Sequence, residues 1–192
     1  MPKFRGGRWT HGKKIKNLAA RRLLSYCVPR KSKGCPVFED LDYVSFYKIL
    51  ESVYEKIKFE LPAYCLMTNH FHLLIRTWED PIAKVMALLN KRYANYFNTR
   101  YRLSGHVFEK RYYAQLLEED RGVLEVSKYI HRNPLEAKMV KRMDLYPWSS
   151  YRYYTQMNGI PPAYVKLDSI LRYFSGETVH QREAYQTYVE SD

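Results

Sequence analysis

The chain has 192 residues, of which 46% are hydrophobic and 16% aromatic, enough for one domain with a buried core. This composition excludes a globally disordered chain, and no run approaches the ~20 apolar residues of a membrane span, which argues against a membrane protein. The formal net charge of +12 indicates a polyanionic partner such as nucleic acid.

The positive charge is concentrated at the N-terminus. Residues 1–34 contain eleven Lys or Arg residues and no Asp or Glu, whereas residues 35–192 contain 21 basic and 20 acidic residues. We interpret the first 21 residues as a basic arm in which Arg5, Arg8, Lys13 and Lys14 contact phosphates, with an unstructured, solvated end as the other interpretation. The arm has no apolar leader segment, and the three cysteines show no CxxC spacing. These features predict a cytoplasmic, nucleoid-associated protein without a disulfide framework.

Periodic patterns of apolar residues predict seven regular elements. They are a strand at 22–28, a helix at 42–57, strands at 61–67 and 70–77, a helix at 81–97, a strand at 110–118 and a helix at 120–132. The first six follow the split βαβ order. We therefore predict an α+β, ferredoxin-like fold with an antiparallel sheet and helices on one of its faces.

Local signals predict where these elements begin and end. Thr68 and Asn69 form a tight connection between the second and third strands. Asp40 or Asp42 caps the first helix. The dipeptide at 80–81 starts the second helix, with an aspartate cap and proline in the first helical position. Pro134 ends the third helix by forcing the preceding residue out of the α conformation.

Two histidines dominate the chemistry that the sequence predicts. Side chains alternate faces along a strand, so His70 and His72 point the same way. Adjacent imidazoles on one face are a ready pair of metal ligands, although structural histidines satisfied within the core are an equally good explanation of the spacing alone. The HxExxH pattern of zinc hydrolases is absent.

The third helix supplies a second group of candidates. Tyr129 and Asn133 are four residues apart and therefore lie one above the other on one helix face. If this helix packs on the strand, a hydroxyl nucleophile and an amide oxygen meet the two imidazoles. That combination suits cleavage of a phosphodiester with a tyrosine and a divalent metal. The other interpretation is a core aromatic residue and a helix-end asparagine.

Five segments together give a more specific signal. In order, they read CLMTNHFHLLIR (65–76), LNKRYANYFN (89–98), GHVFEKRYYAQLLEED (105–120), SKYIHRNPLEAKMV (127–140) and YPWSSYRYY (146–154). Taken together they resemble the single-tyrosine HUH transposase superfamily, and within it the REP-associated tyrosine transposases.

The resemblance implies a role for each candidate. His70 and His72 match the metal-binding pair, Tyr129 the nucleophile and Asn133 the third, amide-oxygen ligand. It implies Mg²⁺ or Mn²⁺ as cofactor and cleavage of one DNA strand to leave a 5′-phosphotyrosine and a free 3′-hydroxyl. The expected substrate is a hairpin-forming repetitive palindrome. The chain then divides into the arm at 1–21, a catalytic domain at 22–154 and a C-terminal extension at 155–192.

Further residues are candidates for binding DNA because they are basic or combine basic and aromatic character. Outside the arm these are Lys91, Arg92, Lys110, Arg111, Tyr112, Tyr113, Lys128 and Arg132. The predicted partner is single-stranded or hairpin DNA, and the protein is expected to act as a monomer or a homodimer. Two alternatives are a nucleic-acid-binding protein of the same fold without catalysis, and a metal-dependent phosphodiesterase that uses water.

Overall fold

The computed structural model describes residues 21–27, 39–108, 113–117 and 120–191. The elements, in chain order, are β1 (Arg21–Cys27), α1 (Asp40–Lys56), β2 (Glu60–Leu66), β3 (Phe71–Thr77), α2 (Ile82–Tyr101), β4 (Tyr113–Leu117), α3 (Asp120–Glu136), a 3₁₀ turn (Met143–Leu145), α4 (Tyr151–Thr155), α5 (Asp168–Leu171) and α6 (Thr178–Glu190). The seven predicted elements are all present, with ends that differ by a few residues.

The four strands form one sheet in the order β2-β3-β1-β4, and every neighbouring pair is antiparallel. β1 and β2 run in the same direction, and β3 lies between them. Likewise, β3 and β4 run in the same direction, and β1 lies between them. This is the split βαβ arrangement of the ferredoxin-like fold, so the predicted fold class is confirmed.

Helices cover both faces of the sheet. On one face, Phe46 of α1 lies 4.8 Å from Phe71 of β3 between ring centroids, and 5.2 Å from Tyr93 of α2. The next residue of β3, His72, points to the other face and contacts Tyr129 of α3. The expectation of helices on one face therefore holds for α1 and α2, whereas α3 covers the opposite face. β2 and β3 are almost entirely buried as a result.

The helix starts differ in detail from the sequence prediction. Glu39, not an aspartate, is the N-cap of α1, and Asp42 completes a capping box by accepting the Glu39 N–H at 2.9 Å. In α2, Pro81 occupies the N-cap position and not the predicted first helical position, so the helix starts at Ile82. Asp80 does not cap this helix; its carboxylate accepts a hydrogen bond from Lys84 at 2.7 Å.

The prediction that Pro134 ends α3 is wrong, because the helix continues to Glu136. A proline within a helix removes one backbone donor, here the one that would reach the Ile130 carbonyl. Asn133 stays helical, and its Nδ2 donates to the Tyr129 carbonyl at 2.7 Å. The helix ends where the chain turns at Lys138, whose φ of 57° is left-handed. Beyond this turn, the Met139 N–H donates to the Pro134 carbonyl at 2.9 Å. Burial of Pro134 in the interior favours this extra turn.

The C-terminal part of the chain packs against the sheet. Its backbone hydrogen-bonds to the outer edge of β2: Leu66 N–H donates to Trp148 O at 2.9 Å, and Ser150 N–H donates to Tyr64 O at 3.0 Å. Further along, Leu61 N–H donates to the carbonyl of residue 164 at 2.7 Å. Helix α6 then packs on α3, so that its buried residues join the same core as the sheet. None of the helices in the described part of the chain is long and apolar enough to cross a membrane.

Candidate active site between β3 and α3

The β2–β3 hairpin places the two histidines side by side. Its turn is closed by Met67 N–H, which donates to His70 O at 2.7 Å, so Thr68 and Asn69 form the tight connection that the sequence predicts. His70 is the last residue of this turn, and His72 follows in β3. The centroids of their rings are 4.8 Å apart and the ring planes are perpendicular. His72 is 2% exposed, whereas His70 is partly exposed at the end of the hairpin.

Helix α3 brings its tyrosine to these rings. The ring centroids of Tyr129 and His72 are 5.4 Å apart at an interplanar angle of 80°, an edge-to-face contact. Asn133 lies one turn further along α3 and is tied to Tyr129 by its 2.7 Å bond to the backbone carbonyl. The structure thus brings together His70, His72 and Tyr129, with Asn133 next to the tyrosine.

The charge states suit metal binding. Burial lowers the pKa of His70 to about 4, and burial together with the neighbouring His70 lowers the pKa of His72 to about 3. Both rings are therefore neutral at pH 7 and can offer a nitrogen lone pair. His70 Nδ1 lies 2.6 Å from Asn69 Oδ1. A proton on Nδ1 donated to this oxygen would make Nε2 the candidate ligand atom, because a second partner of this kind usually orients a metal-binding histidine.

A third metal ligand beside the two histidines would be neither a carboxylate, a thiolate nor another imidazole. Among the residues that the structure describes, no group of three or more His, Cys, Asp or Glu side chains is placed to hold a metal. Two imidazoles and one amide oxygen form a neutral donor set that fits a divalent ion. His70, His72 and Asn133 therefore fit the predicted site in their chemistry.

The tyrosine is held as a neutral phenol. Burial raises the pKa of Tyr129, a hydrogen bond with Asn133 lowers it, and the Glu136 carboxylate raises it. Since burial is the largest of these effects, the hydroxyl carries its proton at neutral pH. The side chain is half-buried and reaches the edge of the site.

The predicted DNA-binding cations lie in different places. Lys91 is exposed and Arg92 donates to the Ser52 hydroxyl, both on α2, which covers the face of the sheet away from the histidines. The structure does not bring them to the site. Tyr113 begins β4. The other candidates on the arm and before β4 lie outside the described residues; they are Arg5, Arg8, Lys13, Lys14, Lys110, Arg111 and Tyr112.

Lys128 and Arg132 have partners within the protein. Lys128 Nζ donates to Ser191 O at 2.6 Å, and Arg132 donates to Val189 O at 3.0 Å and Ser191 O at 2.8 Å. Both cations thus bind the carbonyl groups at the end of α6, where the helix dipole favours positive charge. Their contact with phosphate remains a prediction.

The sequence reasoning missed a buried polar chain behind the tyrosine. His131 is fully buried, with Tyr185 Oη 2.7 Å from its Nδ1 and Ser150 Oγ 2.8 Å from its Nε2. Burial lowers the pKa of His131 to about 3, so the ring is neutral. A signal existed in the sequence, because His131 falls on the buried stripe of α3 with Ser127 and Ile130, where an unpaired polar side chain would be costly.

Comparisons with known proteins show the family to which the chain belongs. The family described as IS200-like transposases matches residues 27–133, just over half of the chain. A Haemophilus influenzae protein that bears the name of a REP-associated tyrosine transposase is 27% identical over 123 residues, covering 57% of this chain and 69% of its own length. A solved structure of a REP-associated tyrosine transposase bound to a REP hairpin superposes with a TM-score of 0.62 at 14% identity, over 88% of this chain and 93% of the other. At that identity the superposition shows the shared fold. The family match extends from β1 through the histidine pair to Asn133 of the tyrosine helix, and the chain therefore belongs to the IS200-like transposases, enzymes that cleave and join DNA.

Proposed function

We propose that this protein is a metal-dependent, single-strand DNA endonuclease and strand-transferase that acts through a 5′-phosphotyrosine intermediate. The observation that carries the proposal is the contact of Tyr129 with His72, 5.4 Å between ring centroids, beside His70. A hydroxyl nucleophile next to two neutral imidazoles is an arrangement that suits phosphoryl transfer better than it suits a packed core.

His70, His72 and Asn133 would hold the metal, and Mg²⁺ or Mn²⁺ is the expected ion. When bound there, such an ion would polarise a phosphoryl oxygen and stabilise the charge on the leaving oxygen. The two histidines need no deprotonation to act as ligands at neutral pH, because burial has already lowered their pKa values to about 4 and about 3. Asn69 would keep the His70 ring in one orientation through its 2.6 Å contact.

Tyr129 would act as the nucleophile. Its Oη forms a bond to phosphorus while the bond from phosphorus to the 3′ oxygen breaks, and the phenolic proton is released as the 3′-hydroxyl takes one up. Burial raises the pKa of Tyr129, so the proton must leave as the attack proceeds, and the hydrogen bond with Asn133 favours that loss. A 3′-hydroxyl can reverse the reaction and join strands, because the phosphotyrosine conserves the ester linkage.

The proposed substrate is a hairpin-forming palindromic repeat with a single-stranded flank. The net charge of +12 supports a DNA partner, and the structural neighbour was solved with a REP hairpin. The chain contains nineteen tyrosines, and those that are only partly buried could stack on unpaired bases.

Trapping the intermediate tests the proposal. The wild-type protein, mixed with a hairpin-forming oligonucleotide in Mg²⁺ or Mn²⁺, should yield a protein–DNA adduct on a denaturing gel. Tyr129→Phe removes one oxygen and keeps the ring, so it should bind the same DNA without an adduct. Tyr112→Phe and Tyr113→Phe should still form it, as matched controls.

The same gel separates the two alternatives. Cleavage by Tyr129→Phe with release of both products would indicate a hydrolase that uses water. Binding without cleavage by the wild-type protein in either metal would indicate a DNA-binding protein without catalysis. An adduct mapped to any other tyrosine would also contradict the assignment of Tyr129.

A further inference from the structure

A chain of buried hydrogen bonds crosses the molecule behind the candidate nucleophile. It starts at Tyr185 of α6, passes through His131 of α3 and Ser150, and ends at Tyr64 of β2. Tyr185 Oη lies 2.7 Å from His131 Nδ1, and His131 Nε2 lies 2.8 Å from Ser150 Oγ. Ser150 Oγ in turn accepts the Tyr64 N–H at 2.8 Å and donates to the Tyr64 carbonyl at 3.2 Å. All four residues are at most 1% exposed.

One arrangement of protons satisfies the whole chain. If the Tyr185 hydroxyl donates to Nδ1 of His131, the ring proton lies on Nε2 and is donated to Ser150 Oγ. The serine proton then goes to the Tyr64 carbonyl. Two tyrosine rings, Tyr151 and Tyr154, pack at 5.3 Å from the imidazole and hold it in place. A fully satisfied buried network specifies one relative placement of the elements that it joins.

The two ends of this chain adjoin the candidate site. His131 is two residues from Tyr129, so their side chains leave α3 roughly 200° apart, and a fixed direction for one sets the direction of the other. At the other end, Tyr64 adjoins Cys65, the cross-strand partner of His72. The network therefore connects the helix that carries the tyrosine to the strand that lies beside the histidine.

We propose that His131 and Tyr185 are positioning residues that set the rotation of α3 on the sheet and so hold Tyr129 against His72. This inference rests on the proposed function for its effect on catalysis, but its geometric part does not. In this proposal α6 contributes to the reaction, because the Tyr185 hydroxyl that begins the network comes from this helix. Neither residue touches the DNA phosphate in this scheme.

Tyr185→Phe is the sharpest test because it removes one oxygen and keeps the buried ring. We expect the single-turnover rate of adduct formation, measured at saturating hairpin oligonucleotide, to fall at least about tenfold, since small misplacements of a nucleophile are costly. The dissociation constant for the same DNA should stay within about twofold. Tyr101→Phe is the matched control, because it removes a 2.6 Å hydrogen bond to Asp42 between α1 and α2, on the other face of the sheet. It should lose stability without slowing the covalent step.

Substitutions at His131 test the same point by rescue. His131→Leu removes both hydrogen bonds, whereas His131→Gln keeps a polar group that can reach Ser150. The glutamine variant should form adduct faster than the leucine variant. If His131→Leu does not fold, the smaller change Ser150→Ala takes its place in the comparison with His131→Gln.

A spectroscopic measurement distinguishes this proposal from the proposed function. In protein selectively labelled at Tyr and His, the nuclear Overhauser effect between the rings of Tyr129 and His72 should weaken in Tyr185→Phe and persist in Tyr101→Phe. If the wild-type protein forms no adduct, the proposed function fails while this measurement still decides the positioning. Equal rates of adduct formation and equal Overhauser effects in Tyr185→Phe and Tyr101→Phe would overturn the proposal that His131 and Tyr185 position Tyr129.

Discussion

Alanine substitution of the two histidines should separate their catalytic roles from their structural ones. His72 is 2% exposed, and truncating it leaves a cavity between β3 and α3 that we expect to lower the free energy of unfolding by about 2–3 kcal/mol. His70 is partly exposed at the turn, where truncation removes a contact with Asn69 and should cost less than about 1 kcal/mol. Despite this difference in stability, both variants should lose DNA cleavage, because each removes a proposed metal ligand.

Leu74→Ala provides the control. Leu74 is fully buried on the same face of β3, two residues beyond His72, and its truncation should cost about 3 kcal/mol. The folded fraction of this variant should still cleave DNA. Urea denaturation at pH 7 gives the stabilities, and the adduct gel in Mg²⁺ or Mn²⁺ gives the cleavage rates, with DNA affinity measured in parallel. Cleavage by His70→Ala at near wild-type rate would refute the ligand assignment, as would a loss of activity in Leu74→Ala equal to that in His72→Ala.

Three other predictions follow from the remaining parts of the molecule. Asn133→Ala should reduce cleavage less than either histidine variant, because water can replace an amide ligand; a complete loss would give this residue a larger role. Deleting residues 1–20 should make the affinity for single-stranded DNA less dependent on salt, and an unchanged slope of log affinity against log salt would exclude the arm from binding. Asp42→Ala should lower the free energy of unfolding by about 3 kcal/mol, since its buried carboxylate accepts hydrogen bonds from Tyr96 and Tyr101, without changing the cleavage rate of the folded protein.

Much of the fold and of the site could be predicted because the relevant patterns are local. The alternation of side chains along β3 was enough to place His70 and His72 on one face, and the spacing of four residues along α3 placed Tyr129 next to Asn133. The strand and helix periods also predicted the order of elements, from which the ferredoxin-like topology follows.

The features that were missed depend on contacts between distant residues. The sequence contains a proline at 134, which locally favours the end of a helix, but this residue is buried against the rest of the fold and α3 continues through it to Glu136. Similarly, no local pattern indicates that Lys128 and Arg132 donate to carbonyl groups at the end of α6, some sixty residues later. The role of His131 is equally non-local, since its partners come from two other segments.

The backbone pairing on the outside of β2 has a consequence for how two copies of this protein can associate. An exposed strand edge is a template for another chain, and here Trp148, Ser150 and Tyr164 already supply the partners of that edge. A second copy could extend the sheet across β2 after displacing this segment, including the Ser150 hydroxyl that His131 holds. Dimerisation at β2 would therefore disturb the tyrosine helix, and a homodimer that forms a continuous sheet without disturbing it would have to join at the opposite edge, through β4.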